Sequence, residues 1–271
     1  MPNVSLRDLL EAGVHFGHQT RLWNPKMKPY IYGEKNGIHI IDLQRTAKGL
    51  LDACRFVSST VARGGTVLFV GTKRASREIV EEQAARCGMF HVSNRWLGGT
   101  LTNFKTVRHS IDNLLELEKF RDTGSLERLT KKEGLDMTRK MEKMTKSMGG
   151  IKMMRGLPAV IFVIDPKREH IAIREAARLG IPVVALCDTN CDPDNVLHVI
   201  PGNDDAIKSI RLFTTAIADS VMEGNAASRD HLGDNVNAGT RSSGVETYYR
   251  RRADAEVEPA AEVVEEDAAE A

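Results

Sequence analysis

The segment VIFVIDPKREHIAIREAARLGIPVVALC, residues 160–187, decides the fold. Its two ends, Val160–Ile164 and Val183–Cys187, are short apolar runs bounded by turn residues, which is typical of strands buried on both faces. The residues between them, Glu169–Leu179, follow a helical pattern. Strand, helix and strand in this order predict two parallel strands joined by a helix.

The same alternation continues outward from this segment. A third strong strand is predicted at Thr66–Val70, and weaker strands at Ile38–Ile41 and Leu197–Ile200. Further helices are predicted over residues 46–62, 75–86 and 204–222, the last with Asn203 or Asp204 as its N-cap. The fold class is therefore α/β, with a doubly wound parallel sheet.

The stretch from about residue 104 to 150 breaks the alternation. It holds no strand pattern, but its apolar residues recur at spacings of three and four: Phe104, Val107, Ile111 and Leu114, then Met137, Met141, Met144 and Met148. This predicts two antiparallel helices of coiled-coil type, joined by the polar turn at 122–125 and ended by Gly149-Gly150. We interpret the methionines as the core of this hairpin; a promiscuous binding stripe is the alternative.

Charge is distributed unevenly along the chain. The formal net charge is +1, but residues 253–271 contain eight acids and no base, so residues 1–252 carry 38 bases and 29 acids. Within that body, residues 1–155 hold 27 bases against 16 acids. A basic half of this size suits a polyanionic partner.

Residues 225–271 lose all helix and strand patterns, which predicts a disordered tail that is acidic from residue 253. Since RNA would repel this acidic end, we expect it to point into solvent or toward a basic partner. The predicted domain organisation is an α/β domain over residues 1–224, with the hairpin inserted at about 104–150.

Composition excludes several classes of protein. Hydrophobic residues make up 41%, charged residues 28%, and mean hydropathy is -0.30, as in soluble globular proteins. The sequence shows no apolar core of a signal peptide and no apolar run near the ~18 residues of a membrane span. The four cysteines form neither a disulfide framework nor a standard zinc spacing. These features predict a cytoplasmic protein without membrane contact.

The turn Val70–Ser76 follows a strand and opens a helix, where nucleotide-binding proteins hold phosphate. It lacks both G-x-x-x-x-G-K-[ST] and G-x-G-x-x-G, and the chain carries no signature of a nucleophile elbow, zinc protease or catalytic cysteine. No cofactor is therefore expected. The alternative is an enzyme that binds a nucleotide or sugar phosphate with the loops at Gly71, Asp165 and Asp188.

Two further groups of residues admit alternative interpretations. We expect no metal, but His15 and His18 could be ligands together with Asp188, Asp204 or Asp205. Trp23 and Trp96 lie beside basic residues, as in RNA-binding proteins, but large rings usually pack under loops, so we assign binding to the charges.

Several blocks of the sequence, taken in order, match one known family. They include Ala12-Gly-Val-His-Phe-Gly-His18, Asn24-Pro-Lys-Met27, Leu68-Phe-Val-Gly-Thr-Lys-Arg74, Arg95-Trp-Leu-Gly-Gly99, Gly149-Gly-Ile-Lys152, Asp188-Thr-Asn190 and Ile200-Pro-Gly-Asn-Asp-Asp205. Over residues 5 to about 223, the chain resembles the bacterial small-subunit ribosomal protein S-two family. The tail beyond residue 225 matches no pattern of that family.

The resemblance implies a flavodoxin-like domain with a protruding helical hairpin. It implies binding to small-subunit ribosomal RNA near the junction of head and body, contact with neighbouring small-subunit proteins, and recruitment of the messenger-binding ribosomal protein S-one. It also implies that the chain is not an enzyme and has no small-molecule substrate.

We expect Lys and Arg side chains to bind phosphates of this RNA. The candidates in the domain are Arg21, Lys26, Lys28, Lys73, Arg74, Arg77, Arg95, Lys105 and Arg108, followed in the hairpin by Lys131, Lys132, Arg139 and Lys140. For each of them, a solvated surface charge is the alternative. A protein-interaction adaptor that works through the hairpin is a third functional hypothesis.

Overall fold

The computed structural model describes residues 4–124 and 130–235, with side chains through residue 228. Its helices are α1 (Leu6–Glu11), α2 (Leu43–Ala62), α3 (Arg77–Cys87), α4 (Phe104–Asp122), α5 (Lys131–Met148), α6 (His170–Leu179) and α7 (Ile207–Asn235). Its strands are β1 (Phe16–Gln19), β2 (Ile31–Lys35), β3 (Ile38–Ile41), β4 (Val67–Val70), β5 (Phe90–Val92), β6 (Val160–Ile164), β7 (Val183–Cys187) and β8 (His198–Pro201). Short 3₁₀ helices lie at Thr20–Leu22, Pro25–Tyr30 and Gly149–Ile151.

Five strands form a parallel sheet in the order β5-β4-β6-β7-β8. Numbered within the sheet alone, this order is 2-1-3-4-5, which is the flavodoxin-like arrangement. The predicted doubly wound parallel sheet is therefore confirmed. The order changes direction between β4 and β6, and we call this place the switch point.

The central strands separate two apolar layers. Every residue of β4, β6 and β7 is buried, as continuous apolar runs predict. Phe69 and Phe162 face a core that contains residues of α2, α3 and α7. Leu68 and Ile161 face the opposite core, which contains residues of α6 and the hairpin. Helices thus cover both faces of the sheet.

Capping residues mark the ends of several helices. The Asp42 side chain accepts the Gln44 N–H at the start of α2, and Gly88 and Gly180 adopt positive φ at the ends of α3 and α6. Asn203, one of the two N-cap candidates, accepts the N–H groups of Asp205 and Ala206 just before α7.

A second, antiparallel sheet is formed by strands β1-β3-β2. It contains the weak strand Ile38–Ile41, which the sequence had suggested as part of the main alternation. The Asn24 N–H donates to the Thr189 carbonyl, and the His18 N–H donates to Thr189 Oγ1. The N-terminal segment is thereby bound to the loop that follows β7.

The segment 104–150 contains the two predicted helices, and α4 packs against α5. Met141 and Met148 are buried, and Met144 packs against the adjoining core, so the interpretation of these methionines as core residues is confirmed. Gly149 caps the end of α5, as expected. Residues 125–129 of the turn lie outside the described residues, and the coiled-coil geometry stays a prediction.

The last helix continues beyond the predicted boundary at residue 224 and reaches Asn235. The remainder of the predicted tail, residues 236–271, lies outside the described residues. Contacts divide the chain into units at residues 1–230 and 231–271, and residues 231–235 of the second unit are helical. Among the residues that the structure describes, no helix has both the length and the apolar character needed to cross a membrane.

Candidate nucleic-acid interface

Several of the predicted site residues lie in loops that meet at the carboxyl edge of the parallel sheet. Parallel strands end at one edge, so the residues after β4, β6, β7 and β8 become neighbours. In this fold class, ligands bind at that edge beside the switch point. The geometry there decides which of the predicted residues can reach a partner.

Thr72 lies at the switch point and is only 5% exposed. Its N–H donates to Glu169 Oε1 at 3.2 Å, and its hydroxyl donates to the same oxygen. Burial raises the pKa of Glu169, which is 3% exposed. A carboxylate thus occupies the start of the β4–α3 turn, where a nucleotide-binding protein of this topology holds phosphate. This arrangement argues against the nucleotide-binding enzyme.

Two arginines reach Thr72, one from the start of α3 and one from the loop after β6. Arg77 Nε donates to the Thr72 carbonyl at 3.1 Å, and Arg168 Nε donates to Thr72 Oγ1 at 2.9 Å. Arg77 was a predicted RNA-binding residue, whereas Arg168 and its exposed neighbour Lys167 were not. The only signal for Lys167 and Arg168 in the sequence was their position, since they follow β6 as Lys73-Arg74 follows β4.

Lys73 forms ion pairs with acidic side chains of its own chain. Its Nζ lies 2.8 Å from Asp204 Oδ1 and also pairs with Asp205. Burial opposes the charge of Lys73, but the two carboxylates outweigh that effect and raise its pKa. The structure therefore places Lys73 at the predicted edge in an ion pair with acids of its own chain.

One of the two candidate histidines joins this acidic group. His18 Nδ1 lies 3.0 Å from Asp188 Oδ2, and this hydrogen bond raises the pKa of His18. Burial, with Asp165 and Asp188 nearby, raises the pKa of Asp204 to about 7. Asp204 is fully buried, and its Oδ2 has no hydrogen-bond partner among the described residues.

This group has donors suited to a divalent cation. One ligand atom each of His18, Asp188 and Asp204 lie within 4.8 Å of one another, and imidazole nitrogen with carboxylate oxygen is a common ligand set for zinc and similar ions. Asp205 is adjacent, 3.6 Å from His18 Nε2. His15 is not part of the group: it packs on Phe16, and burial lowers its pKa. The expected absence of a metal stays a prediction.

Lys26 resembles Lys73 in being paired, although it is exposed. Its Nζ lies 3.1 Å from Asp192 Oδ1 and also contacts Asp194. Hydrogen bonds to these two acids raise the pKa of Lys26. The acids belong to the loop after β7, so this ion pair joins that loop to the N-terminal segment.

The loop that presents Arg95 is held by one buried carboxylate, Glu175 on α6. Glu175 accepts hydrogen bonds from Trp96 Nε1 at 3.0 Å and from the Gly99 N–H at 2.8 Å, and its other oxygen accepts from Leu101 and Thr102. Trp96 is 7% exposed, so its ring packs under the loop as expected. Arg95 itself is exposed.

The remaining candidates form two groups, which differ in whether the basic side chain already has a partner within the protein. Arg108 donates to the carbonyls of Lys152 and Met154 and pairs with Asp112, so its guanidinium anchors the base of the hairpin. Arg21 donates to Gln19, and Arg139 lies 3.9 Å from Asp136. Among the described residues, no ion pair involves the exposed side chains of Lys28, Arg74, Arg95, Lys105, Lys131, Lys132 and Lys140.

Comparison with known proteins gives a consistent result. A family model described as Ribosomal protein S2 matches residues 9–224. The small ribosomal subunit protein uS2 of Geotalea uraniireducens (strain Rf4) is 57% identical over 227 residues, covering 84% of this chain and 89% of that protein. Those of Maridesulfovibrio salexigens and Sorangium cellulosum (strain So ce56) are 56% and 58% identical and cover 85% and 84% of this chain, or 89% and 82% of their own lengths.

Proposed function

Because the chain belongs to the ribosomal protein S2 family, we propose that basic side chains at the carboxyl edge of its parallel sheet bind small-subunit ribosomal RNA. The family makes it a structural protein of the small ribosomal subunit, in the cytoplasmic ribosome, and not an enzyme. The proposal adds how the protein is bound in the subunit. Its basic side chains contact RNA phosphates near the junction of head and body, and it also contacts neighbouring subunit proteins.

The observation that carries the proposal is that two predicted arginines at this edge are unpaired, whereas two predicted lysines are paired with acids. Lys26 and Lys73 are paired with acids of the chain, whereas Arg74 and Arg95 are exposed and make no ion pair among the described residues. Unpaired guanidinium groups beside a folded surface are suited to bidentate phosphate contacts. RNA would also release counterions there, so binding should depend on salt.

The proposal is tested with the double variant Arg74→Ala and Arg95→Ala. We expect rRNA affinity to fall by at least about tenfold and the slope of log affinity against log salt to decrease by about two, one for each lost phosphate. Assembly into reconstituted small subunits at moderate salt should fall with it. The matched control is Arg63→Ala with Arg178→Ala, two exposed arginines just before β4 and β7, at the opposite edge. Unchanged affinity and slope in the Arg74 and Arg95 variant would refute the proposal.

Lys73 should be tested separately because its substitution acts on stability. Lys73→Ala leaves the fully buried Asp204 without its cation. Since the pKa of Asp204 is already about 7, its carboxyl can take up a proton when the cation is removed, and we expect a loss of about 1–3 kcal/mol of unfolding free energy. Urea unfolding should show this loss for Lys73→Ala and no comparable loss for Arg74→Ala. Equal stability of the two variants would show that the pair with Asp204 is unimportant.

We also propose that the chain helps to recruit ribosomal protein S-one, which requires a protein-binding surface, and one apolar surface supports this. Leu6, Leu10 and Tyr32 are 49%, 55% and 82% exposed and line a groove of about 560 Å³ between α1 and the antiparallel sheet. Exposed apolar groups grouped in this way are typical of protein interfaces.

We expect Leu10→Asp with Tyr32→Ala to weaken binding of S-one by isolated small subunits while the variant still enters the subunit. The control is Leu197→Asp, an equally exposed leucine at 59% that lies beside β8. Pull-down of S-one with small subunits carrying each variant measures the effect. Normal binding by the double variant, or equal loss with Leu197→Asp, would exclude this groove.

A further inference from the structure

We infer that Arg77 and Arg168 form a binding site for one RNA phosphate at the switch point of the parallel sheet. The inference rests on the proposed RNA-binding function and deepens it, because it assigns a phosphate to two guanidinium groups that converge on one residue. One of them, Arg168, lies in a loop that the sequence did not identify as part of the interface.

The two side chains are anchored to the same small residue. Arg77 donates from Nε to the carbonyl of Thr72, and Arg168 donates from Nε to its hydroxyl, at 3.1 and 2.9 Å. Thr72 is 5% exposed and is itself held by Glu169. Because both Nε atoms are hydrogen-bonded to the same buried residue, both guanidinium groups lie beside Thr72 before any ligand arrives.

Each guanidinium uses only Nε in these bonds. In the described part of the chain, the terminal nitrogens of Arg77 and Arg168 take part in no hydrogen bond and no ion pair. Other partly exposed arginines use theirs: Arg86 Nη2 lies 2.7 Å from Asp219, and Arg211 Nη1 lies 2.9 Å from Glu82. The terminal nitrogens at the switch point are thus donors without an internal acceptor, in the fork arrangement that suits a phosphate.

The local charge favours an anion. Residues 71–77 and 165–169 contain five bases and two acids. One of the acids, Glu169, is 3% exposed and directed at Thr72, and the other, Asp165, accepts the backbone N–H of Arg168 at 3.2 Å. Neither carboxylate pairs with a terminal nitrogen of the two arginines, so a bound anion would relieve their mutual repulsion.

The geometry points to a phosphate of an RNA backbone and not to a free nucleotide. Thr72, to which both arginines are bonded, and its partner Glu169 are buried, and the turn has no glycine-rich cradle for a diphosphate. A ligand must therefore approach from the solvent side. The backbone of a folded RNA presents single phosphates in this way.

The test measures binding of the full chain to small-subunit rRNA over a range of salt concentrations. Arg168→Gln should lower affinity by about tenfold and reduce the slope of log affinity against log salt by about one. Arg77→Gln should do the same. Arg168→Lys keeps the charge but loses the fork, so it should restore the slope and only part of the affinity. Arg178→Gln, an exposed arginine near the end of α6, the helix that follows Arg168, is the matched control and should bind like the unaltered chain.

Thermal unfolding with inorganic phosphate and with AMP distinguishes the sources of phosphate and reports folding of each variant. Stabilisation of the unaltered chain by millimolar phosphate, lost in Arg168→Gln together with rRNA affinity, would support the site. Stabilisation by phosphate or AMP, with rRNA binding unchanged in Arg168→Gln, would overturn the assignment to RNA. Unchanged affinity and slope for Arg168→Gln and Arg77→Gln would overturn the inference and leave the proposed function intact. Failure of the unaltered chain to bind rRNA would instead refute the proposed function.

Discussion

At the scale of single residues, distant partners decide which basic side chains are available to RNA. Lys26 and Lys73 have the same local surroundings in the sequence as Arg74, with other bases nearby. Their carboxylate partners Asp192 and Asp204 lie 166 and 131 residues away in the chain. A sequence pattern contains no information on such contacts, and the distinction between paired lysines and unpaired arginines needed the folded structure.

Glu175 shows the reverse case, an acid that positions a base. This carboxylate is 8% exposed and fixes the loop from Trp96 to Thr102, which follows directly after Arg95. Glu175→Gln replaces one acceptor oxygen by an NH₂ group that faces backbone N–H donors. We expect the unfolding free energy to fall by about 2–4 kcal/mol, measured by urea unfolding. The control is Glu116→Gln, an exposed acid of α4 that should change stability little.

The pKa of Glu175 leads to a prediction about how the stability of the fold depends on pH. Burial alone would raise the pKa of Glu175, but the hydrogen bonds from Trp96, Gly99, Thr102 and Leu101 outweigh it and lower the pKa below its ordinary 4.5. A carboxyl whose pKa is lower in the folded state stabilises the fold above its unfolded pKa and loses that contribution as pH falls through the folded pKa. Stability should therefore decline less steeply below pH 4.5 in Glu175→Gln than in the unaltered chain. Parallel pH profiles would contradict this account.

At the scale of elements, buried strands were predictable and exposed or short ones were not. The apolar runs in β4, β6 and β7 have no polar residue, because both faces of these strands are buried. By contrast, β1 is Phe-Gly-His-Gln and β5 has only three residues, so neither shows a strand period. The same limit applies to Lys167-Arg168, since a pair of bases in a loop looks like any solvated turn until the topology places it at the switch point.

The attachment of the hairpin depends on a close approach between two elements. A Cβ atom on Gly150, two residues after the end of α5, would overlap the carbonyl oxygen of His91 in β5. Gly150→Ala must therefore displace the base of the hairpin from the edge of the sheet. We expect a loss of about 1–3 kcal/mol in unfolding free energy, measured by urea unfolding.

The control for this prediction is Gly156→Ala in the next loop. A Cβ there meets no atom within 4 Å, so the substitution should leave stability unchanged or raise it slightly. An equal loss in both variants would mean that the contact with His91 does not matter.

At the scale of the whole molecule, the net charge of +1 is the sum of two opposite regions. Residues 1–252 carry 38 bases and 29 acids, and residues 253–271 carry eight acids. The lysines that pair with their own acids, such as Lys73 with Asp204, already cancel part of the body's charge within the fold. The remaining excess lies partly on unpaired arginines at the carboxyl edge, where it is available to a polyanion.

Deleting residues 253–271 separates the two regions and tests this division. The truncated chain carries +9, and because the acidic end makes no proposed contact with RNA, incorporation into the small subunit should stay intact. Binding to unrelated RNA should become tighter at low salt, since a repulsive charge has been removed, and should approach that of the full chain above about 0.3 M salt, where the Debye length falls to a few ångströms. Filter binding and subunit reconstitution measure the two effects.

A chain in which the eight tail acids are replaced by Asn and Gln keeps the length and removes only the charge. It should behave like the truncated chain if charge is the cause. If length alone mattered, for example by steric exclusion of RNA, it would behave like the full chain. Loss of incorporation in both altered chains would show that the acids are needed for assembly, and the tail would then have to act on a basic partner within the subunit.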